Sequence, residues 1–229
     1  MPVDAILFDK DGTLFDFAAT WEAWAQAFLL RATDGDREHA TRIGHAIGFD
    51  LPARAFHADS VAIAGTPDEI AEALSEQLPG LERSALVTMI NEEAEAAPQA
   101  EAVPLAPFLD GLRARGLKLG VATNDAEAPA LAHLGAAGVR DRFDFIAGFD
   151  SGHGAKPGPG QLLAFAEAVG VAPGRAAMVG DSTHDLLAGR AAGMHTIGVL
   201  TGMAGHTDLA PHADVVLPDI GHIPAWLEG

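Results

Sequence analysis

The sequence predicts an α/β fold: a parallel sheet flanked by helices, with an all-helical cap inserted after the first strand. Three observations carry this. From residue 108 onward, short apolar runs alternate with helical stretches, and strict alternation of that kind builds a parallel sheet covered on both faces. One further apolar run, residues 3–8, stands apart from the series at the N-terminus. Between them lies a block rich in Ala, Glu and Gln whose aromatic spacing is helical.

In chain order, residues 3–8 are an almost continuous apolar run entering Asp9-Lys10-Asp11-Gly12-Thr13, which reads as a buried strand and its turn. Phe17, Trp21, Trp24 and Phe28 then recur at helical spacing. Thr66-Pro67-Asp68-Glu69 is a helix start: a capping Thr, Pro at the first helical position, and Glu three residues after the cap. Pro79-Gly80 punctuates the chain, and 81–96 reads as another helix. A Pro- and Ala-rich crossing follows over 98–107. Beyond it come helix 108–115, strand 117–122, helix 127–137, strand 145–148 and helix 160–169. Strand 176–179, helix 184–192 and strands 195–200 and 213–217 complete the series. The expected organisation is a core of residues 1–16 plus 98–229 and a helical cap of residues 17–97.

Composition narrows the function classes. The 229 residues carry 14 Lys+Arg against 32 Asp+Glu, a net charge of −18. Such a field opposes nucleic-acid backbones and anionic membrane surfaces. Cysteine is absent, which removes disulfides, thiolate catalysis and Cys-based zinc sites. No apolar run reaches the ~18 residues of a membrane-spanning helix. The opening Met1-Pro2-Val3-Asp4 lacks the basic flank of a signal peptide, so a cytoplasmic protein is expected.

Four features fall at predicted strand ends, where open α/β sheets bind ligands. They are Asp9-x-Asp11-Gly12-Thr13, then Thr123 with Asn124, then Lys156 between glycines and prolines, and last Gly180-Asp181-Ser182-Thr183-His184-Asp185. Together they supply four carboxylates, one ammonium and one hydroxyl. Converging acids repel one another without a divalent cation, and hard oxygen ligands suit Mg²⁺. Lys156 and backbone amides then make a pocket for a tetrahedral anion such as phosphate.

In these four ordered motifs, spanning Ile6 to Asp185, the sequence resembles the phosphatase branch of the haloacid dehalogenase superfamily. It looks most like phosphoglycolate phosphatase-like members with a helical cap after the first motif. The resemblance implies a Rossmann-like core and assigns roles. Asp9 is the expected nucleophile, giving an aspartyl-phosphate, and Asp11 the acid and then base. Asp9 and Asp181 side chains with the Asp11 backbone carbonyl would hold Mg²⁺, and Asp185 would support it directly or through water. Thr123 and Lys156, with amides near Gly12 and Asn124, would bind phosphoryl oxygens, and Lys156 would brace the nucleophile. Dehalogenase relatives do not need an acid two residues after the nucleophile; a phosphatase does. The implied partner is a small phosphorylated metabolite, 2-phosphoglycolate first and a sugar phosphate second. A mutase on the same fold, a receiver-type signalling module and a non-catalytic binding protein are the alternatives.

Other residues carry plainer readings. His39, His45, His57 and His184 lack metal-site spacing and read as solvated or core histidines. Trp21 and Trp24 read as cap packing, and Arg31, Arg37, Arg42 and Arg54 as solvated helix faces, the alternative being that one of them meets a substrate carboxylate across the cap gap. Lys10 departs from the apolar residue common between the two acids and is expected to point away from the metal.

Overall fold

The computed structural model describes residues 3–57 and 59–228. Met1 and Pro2, which opened the N-terminal reading, and Ala58 and Gly229, inside the expected cap and core ranges, lie outside the described residues. The elements are β1 (Ala5–Phe8), α1 (Phe17–Ala32), α2 (Arg37–Ala46), β2 (Phe49–Asp50), β3 (Ala55–Phe56), α3 (Pro67–Ser75) and α4 (Arg83–Ala96). Then follow α5 (Leu105–Ala114), β4 (Lys118–Ala122), α6 (Glu127–Ala136), β5 (Phe145–Ala147), α7 (Gly160–Val169) and β6 (Ala176–Gly180). The chain closes with α8 (Thr183–Ala192), β7 (His195–Val199), α9 (His206–Leu209), β8 (Val215–Leu217) and α10 (Ile223–Trp226).

Six strands form one parallel sheet in the order β5-β4-β1-β6-β7-β8. The chain builds outward from β1 through β4 to β5, then returns to the other side of β1 and builds out through β6, β7 and β8. The order therefore reverses between β1 and β6, and a crevice opens at the carboxyl ends of such a pair. Phe8, the last residue of β1, pairs in register with Val121 of β4 and Val179 of β6. The loops that follow these three strands leave the sheet at one level.

Alternate faces of the sheet are sealed by different helices. Ile6 and Phe8 pack with Leu105, Leu109 and Leu134 on one face, and Leu7 packs with Leu162, Phe165 and Ala188 on the other. Helices α1–α4 enclose a separate cluster containing Trp24, Phe28, Ile43, Ile70 and Leu86. The capping box at α3 forms as its sequence dictates: Thr66 accepts from the Glu69 amide, and the Glu69 carboxylate accepts from the Thr66 amide.

The inserted block is not wholly helical. β2 and β3 make an antiparallel hairpin in which Phe49 faces Phe56, their ring centroids 4.7 Å apart. Positive φ at Gly48 (70°) and Arg54 (55°) turns the chain around it. Two-residue strands are too short to show a period of two, so this aromatic pair was invisible in the helical texture around it. No helix among the described residues is long and apolar enough to cross a membrane.

Candidate active site

Above the β1–β6 crevice, the loops after β1, β4, β5 and β6 meet α1, α4 and the 62–70 segment around a chamber. Asp9, Asp11, Thr123, Asn124, Lys156, Asp181 and Asp185 all line it. Every sequence-predicted side chain thus comes to one place. Asp9, Asp181 and Asp185 form a tight group, with one carboxylate oxygen from each lying within 4.8 Å of the others. The Asp11 carboxylate is outside that trio.

Lys156 supplies the counter-charge. Its Nζ donates to Asp9 Oδ1 and Asp185 Oδ1 at 2.6 Å each and to the Ala122 carbonyl at 2.8 Å. All three N–H bonds are therefore in use. The loop carrying Lys156 is fixed by Asn124, whose Oδ1 accepts from the Lys156 amide (2.8 Å) and whose Nδ2 donates to the Lys156 carbonyl (2.9 Å). The same Nδ2 donates to Ala64, tying the inserted block to the core. Asp185 also closes a capping box with Ser182 at the start of α8, so it serves both the helix and the cluster.

Three carboxylates share one ammonium, and the titration of the group reflects it. Burial pushes the Asp9 carboxyl up to about 7 despite Lys156, and the Asp185 and Asp11 charges add to the rise. Burial, then Asp9 and Asp185, raises Asp181 well above the usual carboxylate range. Burial opposes the charged form of Lys156, but Asp185 and Asp9 outweigh it and raise its pKa. Hard oxygen donors with a surplus of negative charge fit a divalent cation.

Glycine makes room for Asp181. Gly12 sits at φ +74°, and a Cβ there would lie 2.5 Å from the Asp181 carboxylate. A Cβ on Gly202 would lie 1.7 Å from Asp181 Oδ2. Gly202 was missed in the sequence, although it follows the strand end at 195–200 and so carried the same positional signal as the other motifs. Gly12 donates its amide to Phe15 and accepts Thr201 Oγ1 through its carbonyl.

Lys10 lies in a buried network that includes Asp11 but none of the acid trio. Its Nζ lies 2.7 Å from Asp11, 3.2 Å from Asp125 and 3.0 Å from His133 Nδ1, with no exposure to solvent. His133 Nε2 lies 2.7 Å from the Ala94 carbonyl. A carbonyl only accepts, so Nε2 carries the proton and Nδ1 accepts a hydrogen bond from the Lys10 ammonium. Burial and then the Lys10 charge lower His133 to about 4, and burial raises Asp125 to about 6 against the pull of Lys10. Neither Asp125 nor His133 was singled out in the sequence as a site residue.

Thr123 lines the chamber and its Oγ1 accepts from the Asp125 amide. His184, read as solvated or core, also lines it. The four cap arginines are exposed and line no part of it; Arg31 pairs with Glu92 and Glu93, and Arg42 with Glu38.

Residues 3–193 match the model of the haloacid dehalogenase-like hydrolase family. The chain is 31% identical over 222 residues to a phosphoglycolate phosphatase of Nitrosospira multiformis, covering 96% of this chain and 93% of that protein. Among solved structures, β-phosphoglucomutase from Clostridium difficile superposes with a TM-score of 0.67 at 18% identity, covering 96% of this chain and 93% of that one. L-2-haloacid dehalogenase from Xanthobacter autotrophicus does so at 0.64 and 20%, covering 99% of each. These two share the fold. The chain belongs to the haloacid dehalogenase-like hydrolase family, and within it is similar to phosphoglycolate phosphatases.

Proposed function

We propose that the protein is a Mg²⁺-dependent phosphatase of small phosphomonoesters that works through an aspartyl-phosphate on Asp9. The observation that carries this reading is the placement of two acids on one turn. Asp9 lies within the acid trio beside Lys156, and Asp11 lines the same chamber with its carboxylate outside the trio. One acid thus sits against the Lys156 ammonium, and the second, paired with Lys10, lines the chamber where it can transfer a proton. Asp9, Asp181 and the Asp11 backbone carbonyl, with Asp185 in support, would hold Mg²⁺. Bound there, the ion would neutralise the carboxylates and the phosphoryl charge.

In the first step an Asp9 carboxylate oxygen attacks phosphorus, the bond from phosphorus to the ester oxygen breaks, and Asp11 as a carboxylic acid protonates the departing alkoxide. In the second, Asp11 as carboxylate takes a proton from water, which attacks the same phosphorus and releases Asp9 and inorganic phosphate. Thr123 binds phosphoryl oxygens, and Lys156 braces Asp9 and shares that task by exchanging one of its present partners.

Residues 17–97 would act as a cap over a core of residues 1–16 and 98–229. The chamber offers only about 40 Å³, room for roughly three water-sized spheres. A substrate enters only if the cap lifts, which breaks the Asn124–Ala64 hydrogen bond. 2-Phosphoglycolate is the leading substrate and a sugar phosphate the next.

The test is phosphate release from a panel of small phosphomonoesters, a phosphopeptide and 5′-phosphorylated DNA, with Mg²⁺ and with excess EDTA. Release from small esters that stops in EDTA is expected. Undiminished activity in EDTA refutes the metal requirement, and isomerised sugar phosphate without free phosphate favours a mutase.

A further inference from the structure

We propose that Trp21 determines specificity: its indole N–H donates to an oxygen acceptor on the alcohol part of the substrate. The inference rests on the phosphatase reading above and names the class of leaving group that this site takes. It begins from an unpaired donor. Trp21 is 6% exposed, and its Nε1 is buried with no hydrogen-bond partner. Trp24, one turn along α1, donates its Nε1 to the Ile90 carbonyl at 3.0 Å. Buried donors are nearly always paired, so a donor left unpaired at the wall of a chamber points to a partner that arrives.

Position supplies the rest. The residues that the cap contributes to the lining include Trp21, Ala62, Ile63, Pro67, Ile70 and Ile90. Of these, with Ala64 and Gly65, Trp21 is the one among the described residues whose side chain carries a polar group. It is held rigidly. The ring stacks on Phe17 at 6.2 Å and meets Trp24 edge-on at 4.9 Å. The Lys10 ammonium lies 5.9 Å from the ring centroid and 2.7 Å from Asp11. The indole therefore shares a cation with the acid that protonates the leaving oxygen, which puts it on the leaving-group side. A donor fixed in advance loses little freedom on binding. No arginine lines the chamber, so on the side of the inserted block the alcohol part meets this neutral donor.

Three esters of one size separate the possibilities: 2-phosphoglycolate offers a carboxylate acceptor, 2-hydroxyethyl phosphate a hydroxyl, and ethyl phosphate none. Trp21→Phe keeps the ring and deletes the N–H. The expected loss in kcat/KM is about 10- to 150-fold for the carboxylate or about two- to tenfold for the hydroxyl, with ethyl phosphate changed less than about twofold. The ester with the larger loss identifies the acceptor. Equal losses on all three, or a wild-type enzyme that turns over ethyl phosphate as well as the others, overturn the proposal. If wild type hydrolyses none of the three and no other ester of the panel above, the phosphatase reading fails by itself. Trp21 is then judged by binding: in Asp9→Asn protein, its indole N–H proton resonance, assigned by its absence in Trp21→Phe, is expected to move with an acceptor-bearing ester and not with ethyl phosphate. A resonance indifferent to both refutes the assignment.

Discussion

Lys156→Met removes the one ammonium that the acid trio shares, and the structure sets the size of the effect. The side chain is 3% exposed and makes two ionic contacts of 2.6 Å, to Asp9 and Asp185, besides its bond to Ala122. Methionine matches the stem but leaves the carboxylates buried without a counter-ion. Removing one partner of a buried pair costs about 3–5 kcal/mol. At about 2–4 °C per kcal/mol for a chain of this size, melting should fall by about 6–20 °C. The pH dependence has a definite sign. Lys156 keeps its proton up to a folded pKa above 10.5, so its own charge does not change near neutrality. Asp9, held at about 7, is largely protonated at pH ~5.5 and ionised at pH ~8.5. The loss should therefore be larger at the higher pH and shrink when Mg²⁺ replaces the missing charge. The assay is thermal and urea unfolding of wild type and variant at both pH values, with EDTA and with Mg²⁺. A loss below about 1 kcal/mol at pH ~8.5 in EDTA, the size of an exposed pair, would refute the role of Lys156 as counter-ion.

Other outcomes follow from the same geometry. Asp9→Asn should abolish phosphate release, since an amide neither attacks phosphorus nor carries the charge a cation needs; retained turnover would remove the nucleophile assignment. Gly202→Ala should push Asp181 out of place, because the new Cβ would lie 1.7 Å from Oδ2; Mg²⁺ affinity by titration calorimetry should drop about 10–100-fold, and unchanged affinity would separate Asp181 from the metal. Lys10→Met strips Asp11 of its counter-ion; kcat should fall further for alkyl phosphates, whose leaving oxygen needs a proton, than for p-nitrophenyl phosphate, and equal falls would disconnect Lys10 from proton transfer. In metal-free protein Asp9 and Asp125, at about 7 and about 6, lie above the unfolded 3.8; their contribution to stability is full below 3.8 and lost as pH rises through those values. His133, at about 4 against 6.5, contributes above 6.5 and loses that as pH falls through 4. Mg²⁺ should consequently raise melting more at pH ~8.5 than at pH ~5.5, and a larger gain at low pH would contradict the charge balance of the site.

Whatever depends on near neighbours along the chain was legible from the sequence by itself. The strand ends at Phe8, at Ala122 and within one residue of Gly180, the turn at Asp11-Gly12 and the capping box at Thr66 rest on local sterics and on residues within four positions. That was enough to expect a parallel sheet, to place Asp9, Lys156 and Asp181 at or just beyond its strand ends, and to see the family resemblance. The tertiary structure decided what lies across long separations. Lys10 meets His133 at 123 residues' distance and Lys156 meets Asp9 at 147. The close approach of Gly202 to Asp181, the exclusion of the cap arginines from the chamber and the unpaired N–H of Trp21 are of the same kind. A buried polar group is defined by which atoms surround it, and packing brings those atoms from elements that carry no mark of one another in the sequence. The hairpin at Phe49 and Phe56 shows the same limit over a short span: its strands exist because two rings pair across a turn, and two residues are too few to announce it.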